Sequence, residues 1–227
     1  MTTFRNRTEA GQVLATELKK SVKAPLLICA IPNGGVPVAI PIIRELNAFF
    51  SLLVVRKLQI PYNPEAGFGA LTSTGFVMLN EPLVARLRLK QKIINQAIAK
   101  ARYLLDTKLQ QFGSYCTSVL SENHTCIVVD DGLASGYTMR VAVEALKQNQ
   151  PKKLIIAAPT ASQSAITLLQ PHVTQIICPD IRHGSIFAVA DAYDDWYDLS
   201  DEEVHHLLKG LDLNYENDYG IEFLRFR

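Results

Sequence analysis

Residues 125–138 read TCIVVDDGLASGYT. An uninterrupted apolar run of this length, closed by polar and small residues, predicts a strand over 125–129 that is buried on both faces. Asp130 and Asp131 then fall at its carboxyl end, where two adjacent carboxylates repel each other and lose hydration. A helix N-cap needs one such acid, not two. The second acid points to a site for a cation or for vicinal hydroxyls. Gly132, Leu133, Ala134, Ser135, Gly136, Tyr137 and Thr138 follow. Small residues let backbone N–H groups come close to a ligand, and a helix starting at 138 aims its positive end at the same point. Ser135 and Thr138 add hydroxyl donors. A ligand that satisfies both halves of the stretch is a sugar phosphate, with hydroxyls on the acids and phosphate in the loop.

Outward from this stretch the chain alternates. LLICAI (26–31) is a second buried run, LLVV (52–55) a third, and strands are predicted at 154–158 and 174–178. Between them lie helices at 36–47, 138–148 and 162–169. Thr8 is placed to cap a first helix whose Ala10, Leu14 and Leu18 recur at helical spacing. Residues 56–80 read as a long loop followed by a hairpin around Ser73–Gly75, and 82–112 as one long helix. A last helix begins near Ser200, where SDEE puts acids in the first turn. Strand–helix alternation of this kind predicts an α/β fold with a mostly parallel, doubly wound sheet, in which ligands bind beyond the carboxyl ends of the strands.

Composition narrows the function classes. The chain has 227 residues, 48% of them hydrophobic, and 23 basic against 22 acidic side chains. Near-neutral charge gives no basis for nucleic-acid binding or a polybasic membrane surface. The N-terminus MTTFRNRTEAGQ lacks an apolar signal core, and Pro32, Pro37 and Pro41 interrupt the best apolar stretch, so no membrane span is expected. Of the four cysteines, Cys29, Cys126 and Cys178 fall in predicted strands and Cys116 outside them, with no CxxC pair. That is the usage of buried, reduced thiols in the cytoplasm. His205 and His206 are adjacent and cannot share a helix face, so they make no metal site. There is no GxxxxGK[ST], and GLASG lacks the spacing of a GxSxG nucleophile elbow.

The stretch VVDDGLASGYT resembles the phosphoribosyl-diphosphate (PRPP) motif of the type I phosphoribosyltransferases. FRNRTEAGQVLATEL, IPNGGVPVA, RKLQIPYNPEAGFGAL and DAYDDWYDLSDEEV resemble blocks of a bacterial and archaeal subgroup of that family. The resemblance implies one domain over 1–227, with a core at about 22–180, a hood from 1–20 and 181–210, and an unassigned tail at 211–227. It implies that Asp130 and Asp131 hold the ribose hydroxyls and that Gly132, Ala134, Ser135, Gly136, Tyr137 and Thr138 hold the 5-phosphate. Asn33, Gly34 and Gly35 would face the diphosphate, in a loop that in related enzymes can contain a strained or cis peptide, which the glycines would tolerate. Arg56 and Lys57 would add positive charge there, with Lys57, Asp130 and Asp131 the catalytic set. Residues 58–70 would cover the site, and Phe187 and Tyr193 would stack on the base. Mg2+ would arrive bound to PRPP near Asp130 and Asp131 without direct protein ligands. A homodimer is implied as well.

Departures from the pattern qualify this. Asn33 stands where the subgroup usually has Arg, Tyr137, Gln59 and Tyr62 replace smaller residues, and Ala134 stands where hypoxanthine–guanine enzymes carry Asp. The acceptor is therefore expected outside the hypoxanthine–guanine group, among nitrogenous bases or related acceptors. The expected activity is transfer of the 5-phosphoribosyl group with release of diphosphate. The alternative is a regulatory protein that binds PRPP or a nucleotide with little turnover. A phosphate-ester hydrolase needs a third carboxylate or histidine that the sequence does not offer.

Overall fold

The computed structural model describes residues 3–60, 62–116, 123–184 and 187–211, apart from the side chains of 63–66. The expected tail beyond residue 211 lies outside the described residues. In chain order the elements are α1 (Arg7–Lys19), β1 (Leu26–Ala30), α2 (Gly35–Leu46), β2 (Phe49–Leu52), β3 (Val55–Ile60), β4 (Asn63–Thr72), β5 (Val77–Leu79), α3 (Glu81–Arg86), α4 (Gln91–Phe112), β6 (Thr125–Val129), α5 (Tyr137–Lys147), β7 (Lys153–Ala157), β8 (Thr160–Ser162), α6 (Gln163–Leu169), β9 (Gln175–Ile177), β10 (Asp180–Arg182) and α7 (Asp201–Lys209). Five strands form a parallel sheet in the order β2-β1-β6-β7-β9.

Both central strands are buried along their whole length, as their unbroken apolar sequences require. Alternate residues feed two separate cores. Leu26, Ile28 and Ala30 join Ile127 and Val129 in the core beneath α1, α2, α4 and α7. Leu27, Cys29, Cys126 and Val128 join Met139, Val143 and Leu146 of α5 and Ile166 and Leu169 of α6 in the other. Each fully buried aliphatic side chain stabilises the fold by about 1.5–3 kcal/mol, so the two cores fix the sheet's position between its helices. A small third cluster of Phe4, Ala10, Ala192 and Tyr193 holds the N-terminal segment against residues 189–196. Backbone hydrogen bonds from Thr3 and Phe4 to Ala192, and from Asp194 and Asp195 back to Phe4 and Arg5, complete that junction.

Several boundaries differ from expectation. The cap of α1 is Asn6, whose side chain accepts from the Glu9 amide at 3.0 Å, and Thr8 lies inside the first turn. The second sheet strand is Phe49–Leu52, three residues earlier than LLVV, because Val55 opens a new strand. Residues expected to be a loop form β3 and β4, which with β5 make an antiparallel sheet. The expected turn at 73–75 joins β4 to β5, with Gly75 at φ 84°. The expected long helix is two helices, because Arg88 takes a left-handed φ of 51°. That break lets Leu83, Val84 and Leu89 pack on the main core before α4 begins. Cys178 lies one residue beyond β9, so two cysteines sit in strands, and all four are free thiols. Among the described residues no helix is long and apolar enough to cross a membrane.

Helices α1 and α2 meet at Gly11. A Cβ there would lie 2.3 Å from the Val38 carbonyl oxygen and 3.1 Å from Pro41. Gly11→Ala should therefore force the two helices apart and cost about 1–3 kcal/mol, the usual range for overpacking. Chemical denaturation should show this as a lower midpoint with an unchanged slope. An unchanged midpoint would show that the helices separate freely.

Candidate active site

Parallel pairing sets the site. Ala30 of β1 stands beside Val129 of β6, so the segments leaving the two strands are neighbours. Gly34 approaches so closely that a Cβ there would sit 1.8 Å from Oδ2 of Asp131. At Gly35 a Cβ would sit 2.6 Å from the Val129 carbonyl oxygen and 3.1 Å from the Asp130 Cα. Glycine is thus required at both positions for the loop to reach the acids. The peptide bond Pro32–Asn33 is cis.

The acid pair is largely withdrawn from water, with the Asp131 side chain 15% exposed. Oδ1 of Asp130 accepts the Asp131 amide at 2.9 Å. Burial, and then the neighbouring Asp131 carboxylate, push Asp130 well above the ordinary carboxylate range. Burial raises Asp131 too, opposed by the charge and hydrogen bond of Arg7. Arg7 Nε donates to Asp131 Oδ2 at 2.8 Å, and its side chain is 7% exposed.

The loop from Gly132 to Thr138 is pinned at its middle. Leu133 N donates to Thr160 O, and Ser162 N donates to Leu133 O, each at 3.0 Å. The Ser162 hydroxyl donates to the Ala134 carbonyl at 2.6 Å. Gly136 takes a φ of 72° at the N-cap of α5 and supplies no side-chain cap. Among the described residues the amides of Ala134, Ser135 and Gly136 meet no backbone acceptor. These amides, with the start of α5, form a cradle suited to an anion. Gly132 is held by the hood, since a Cβ there would lie 2.3 Å from Val189.

Arg56 and Lys57, at the start of β3, line a cavity of about 480 Å³ together with Ser135, Tyr137 and Thr138. Nε of Arg56 is buried and has no hydrogen-bond partner among the described residues. The structure thus brings together the acid pair and the glycine loop, and likewise the phosphate cradle and the two basic residues.

Two expected roles change. The Asn33 carboxamide does not face this cavity. Its nitrogen donates to Leu199 O at 2.7 Å and to Asp201 Oδ1 at 2.9 Å, and its oxygen accepts from Lys108 Nζ at 2.7 Å. Asn33 therefore serves as a tie between its loop, α4 and α7. Tyr193 is buried, with 3% exposure; its ring lies against Phe4 and Trp196, and its hydroxyl donates to the Asp131 carbonyl at 2.6 Å. It has no free face to stack on a base. Phe187 is half-buried beside residues outside those described.

The profile of the phosphoribosyl transferase domain matches residues 7–193. The chain belongs to the phosphoribosyl transferase domain family. The match runs from Arg7 to Tyr193, the two hood residues that touch Asp131. Two proteins of Mycobacterium tuberculosis strains, each named putative phosphoribosyl transferase, are 28% identical over 204 residues, which is 90% of this chain. The chain spans 46% of the length of those relatives. Among solved structures, TT1426 from Thermus thermophilus has 27% identity and a TM-score of 0.75, covering 92% of this chain and 98% of its own.

Lys108 is 10% exposed and bonds both Asn33 and Asp201, the latter at 2.7 Å. Burial would raise the Asp201 carboxyl, but hydrogen bonds from Lys108 and Asn33 and the nearby positive charges outweigh it, so Asp201 sits below its ordinary value. A carboxyl lowered in this way contributes stability above its unfolded pKa, and that contribution is lost as pH falls through the folded value. Lys108→Met should destabilise the protein at neutral pH by about 1–3 kcal/mol, toward the lower end because Asp201 is partly solvated. The difference from wild type should shrink as pH falls below the ordinary carboxylate range. A difference that stays constant with pH would show that the Lys108–Asp201 pair contributes nothing.

Proposed function

We propose that this protein transfers the 5-phosphoribosyl group of PRPP to a nitrogenous base or related acceptor, with release of diphosphate. The observation that carries this reading is the lining of one cavity by Arg56, Lys57, Ser135 and Thr138, at the end of the strand that bears Asp130 and Asp131. Cations and a phosphate cradle face each other there. The 5-phosphate would take the amides of 134–136 and the first turn of α5. The ribose hydroxyls would donate to the acid pair. The diphosphate would lie toward Arg56, Lys57 and the backbone of 32–35.

Breaking the bond from C1 to diphosphate builds positive charge on the sugar ring and negative charge on the leaving group. Arg56 and Lys57 are fixed cations on a strand, so they stabilise the leaving charge without reorganising. Among the described residues no cluster of three His, Cys, Asp or Glu side chains gathers to cage a metal. Asp130 and Asp131 would instead lend negative charge near a Mg2+ carried in by PRPP, which keeps waters and phosphate oxygens as its ligands. When bound, Mg2+ would neutralise diphosphate charge. Ala134 is exposed beside the cradle and offers no carboxylate to a purine, which supports an acceptor outside the hypoxanthine–guanine group. A homodimer in a reducing cytoplasm completes this reading, supported for the compartment by the four free thiols. The second reading, a PRPP-binding regulator with little turnover, is favoured by the engagement of Asn33 with Lys108 and Asp201, which brings no charge to the diphosphate.

Incubation with Mg-PRPP and a panel of purine and pyrimidine bases, followed by mass spectrometry, separates the two. A base-dependent nucleotide with release of diphosphate supports the transferase. PRPP binding without product from any base supports the regulator. Lys57→Ala should lower turnover more than PRPP affinity, because its charge counts most as diphosphate departs. Equal losses in both would place Lys57 in ground-state binding alone.

The raised carboxyls of the pair give a pH signature. They take up protons at a higher pH than ordinary aspartates, and a protonated acid is a poorer hydroxyl acceptor. Ribose 5-phosphate should therefore bind more weakly as pH is lowered, with the loss beginning above the ordinary carboxylate range. Asp130→Asn should flatten this dependence to the part that belongs to Asp131 and to the phosphate's own titration. Identical profiles for the variant and wild type would remove Asp130 from the ribose site.

A further inference from the structure

Arg7 is the buried charge nearest the acid pair, and the reaction proposed above assigns it no task. It stands in the first turn of α1, where the helix dipole disfavours a cation. It also lies on the buried stripe of that helix with Ala10, Leu14 and Leu18, where removing a charge from water costs several kcal/mol unless it is paired. Its contacts show what offsets both costs. Nε donates to Oδ2 of Asp131 at 2.8 Å, and Nη1 donates to the Tyr197 carbonyl at 2.9 Å. The guanidinium lies 3.9 Å over the Trp196 ring and 5.9 Å from the Tyr193 ring. Gly34 closes the other flank of the same carboxylate, where even a methyl group would collide with both oxygens. Arg7 and Gly34 thus both bear on Oδ2 of Asp131, and Oδ1 has no bond to Arg7.

We infer that Arg7 is a positioning residue of the phosphoribosyl site: it fixes Asp131 as an oriented, acceptor-only carboxylate for a ribose hydroxyl, and so ties the hood to the ribose end of the pocket. The inference rests on the reading of Asp130 and Asp131 as ribose ligands. Arg7 acts through Asp131 and does not touch the ligand. Its removal should therefore weaken binding of the ribose moiety, while the maximal rate at saturating PRPP changes less. Lysine would return the charge without the planar fork that bonds Asp131 and Tyr197 together, so it should rescue in part.

The test is a mutant cycle read by calorimetric titration with Mg-PRPP and, separately, with ribose 5-phosphate. Wild type, Arg7→Met, Arg7→Lys, Asp131→Asn and the Arg7→Met/Asp131→Asn double variant are compared, with a thermal melt of each to establish the folded fraction. Arg7→Met should weaken both ligands about tenfold or more, the loss expected for one charge-assisted contact. Arg7→Lys should fall between Arg7→Met and wild type. In the Asp131→Asn background, Arg7→Met should add less than about twofold, because its effect passes through the acid that is already altered. Additive losses would show that Arg7 acts elsewhere and overturn the inference. A lower melting temperature with wild-type affinity in the folded protein would reduce Arg7 to a structural strut. If Arg7→Met does not fold, the cycle is closed with Arg7→Lys and its Asp131→Asn double, under the same criterion of additivity. Failure of wild type to bind either ligand would overturn the ribose assignment and this inference with it. Wild-type binding with unchanged affinity in both Arg7 variants overturns the role of Arg7 alone.

Discussion

Two carboxylates one residue apart, both drawn out of water at the end of β6, are the constraint around which the surrounding elements are arranged. Neither acid is tolerable in that position without compensation, and the compensation comes from distant parts of the chain. The Asp131 amide bonds Asp130. Arg7 arrives from α1, 124 residues away, to pair Asp131. The loop after β1 can pack against the pair because β1 and β6 are adjacent parallel strands and residues 34 and 35 are glycines. The hood is held to the same segment, since the Tyr193 hydroxyl donates to the Asp131 backbone carbonyl, Val189 packs against Gly132, and Arg7 also bonds the Tyr197 carbonyl. Substituting an aliphatic residue for Asp131 would thus disturb a helix, a loop and the hood together.

The parts of this arrangement that are local in sequence were legible before the structure. LLICA and TCIVV are apolar along their whole length because both of their faces are covered, and that pattern predicts parallel, central strands. The loop from 132 to 138 was legible because its chemistry is contiguous. The antiparallel sheet was not, because Pro61 and Asn63-Pro64 punctuate the region where β3 turns into β4, and such punctuation ordinarily marks a loop. The break between α3 and α4 carries no glycine or internal proline. It comes from packing, as Leu83, Val84 and Leu89 reach the core only if the chain turns at Arg88.

Two buried cations near the site were overlooked for a different reason. Arg7 and Lys108 pair with residues 124 and 93 positions away, and no local spacing encodes those partners. The sequence did hold a signal of another kind. Arg7 falls on the same helical stripe as Ala10, Leu14 and Leu18, and Lys108 on the stripe of Ala101, Leu105 and Phe112. A charge on an apolar stripe must find a counter-charge across the interface or snorkel to water. Arg7 finds Asp131, and Lys108 finds Asp201 directly, with the loop residue Asn33 bonded to both. Asn33 thus exchanges a direct role at the diphosphate for one in holding its loop between α4 and α7.

Helix capping gives the last step. The N-termini of α1, α3, α6 and α7 are capped by the side chains of Asn6, Asn80, Ser162 and Ser200. Helices α2 and α5 have glycine at the N-cap and no side-chain cap, and they are the two that begin beside the acid pair. Helix α4 also lacks one, at Lys90, so a missing cap does not by itself mark a site. At α2 and α5, however, any side chain at the cap would be shut out or strained, by the Asp131 carboxylate at Gly34 and by the positive φ at Gly136. The orphan amides of a helix start need an acceptor. The Gly35 and Val36 amides of α2 find backbone acceptors in Ile31 and Asn33, and the Tyr137 amide of α5 finds the Ser135 hydroxyl, whereas the amides of Ala134, Ser135 and Gly136 meet no backbone acceptor among the described residues, so it is just before α5 that the anionic ligand proposed above would supply one.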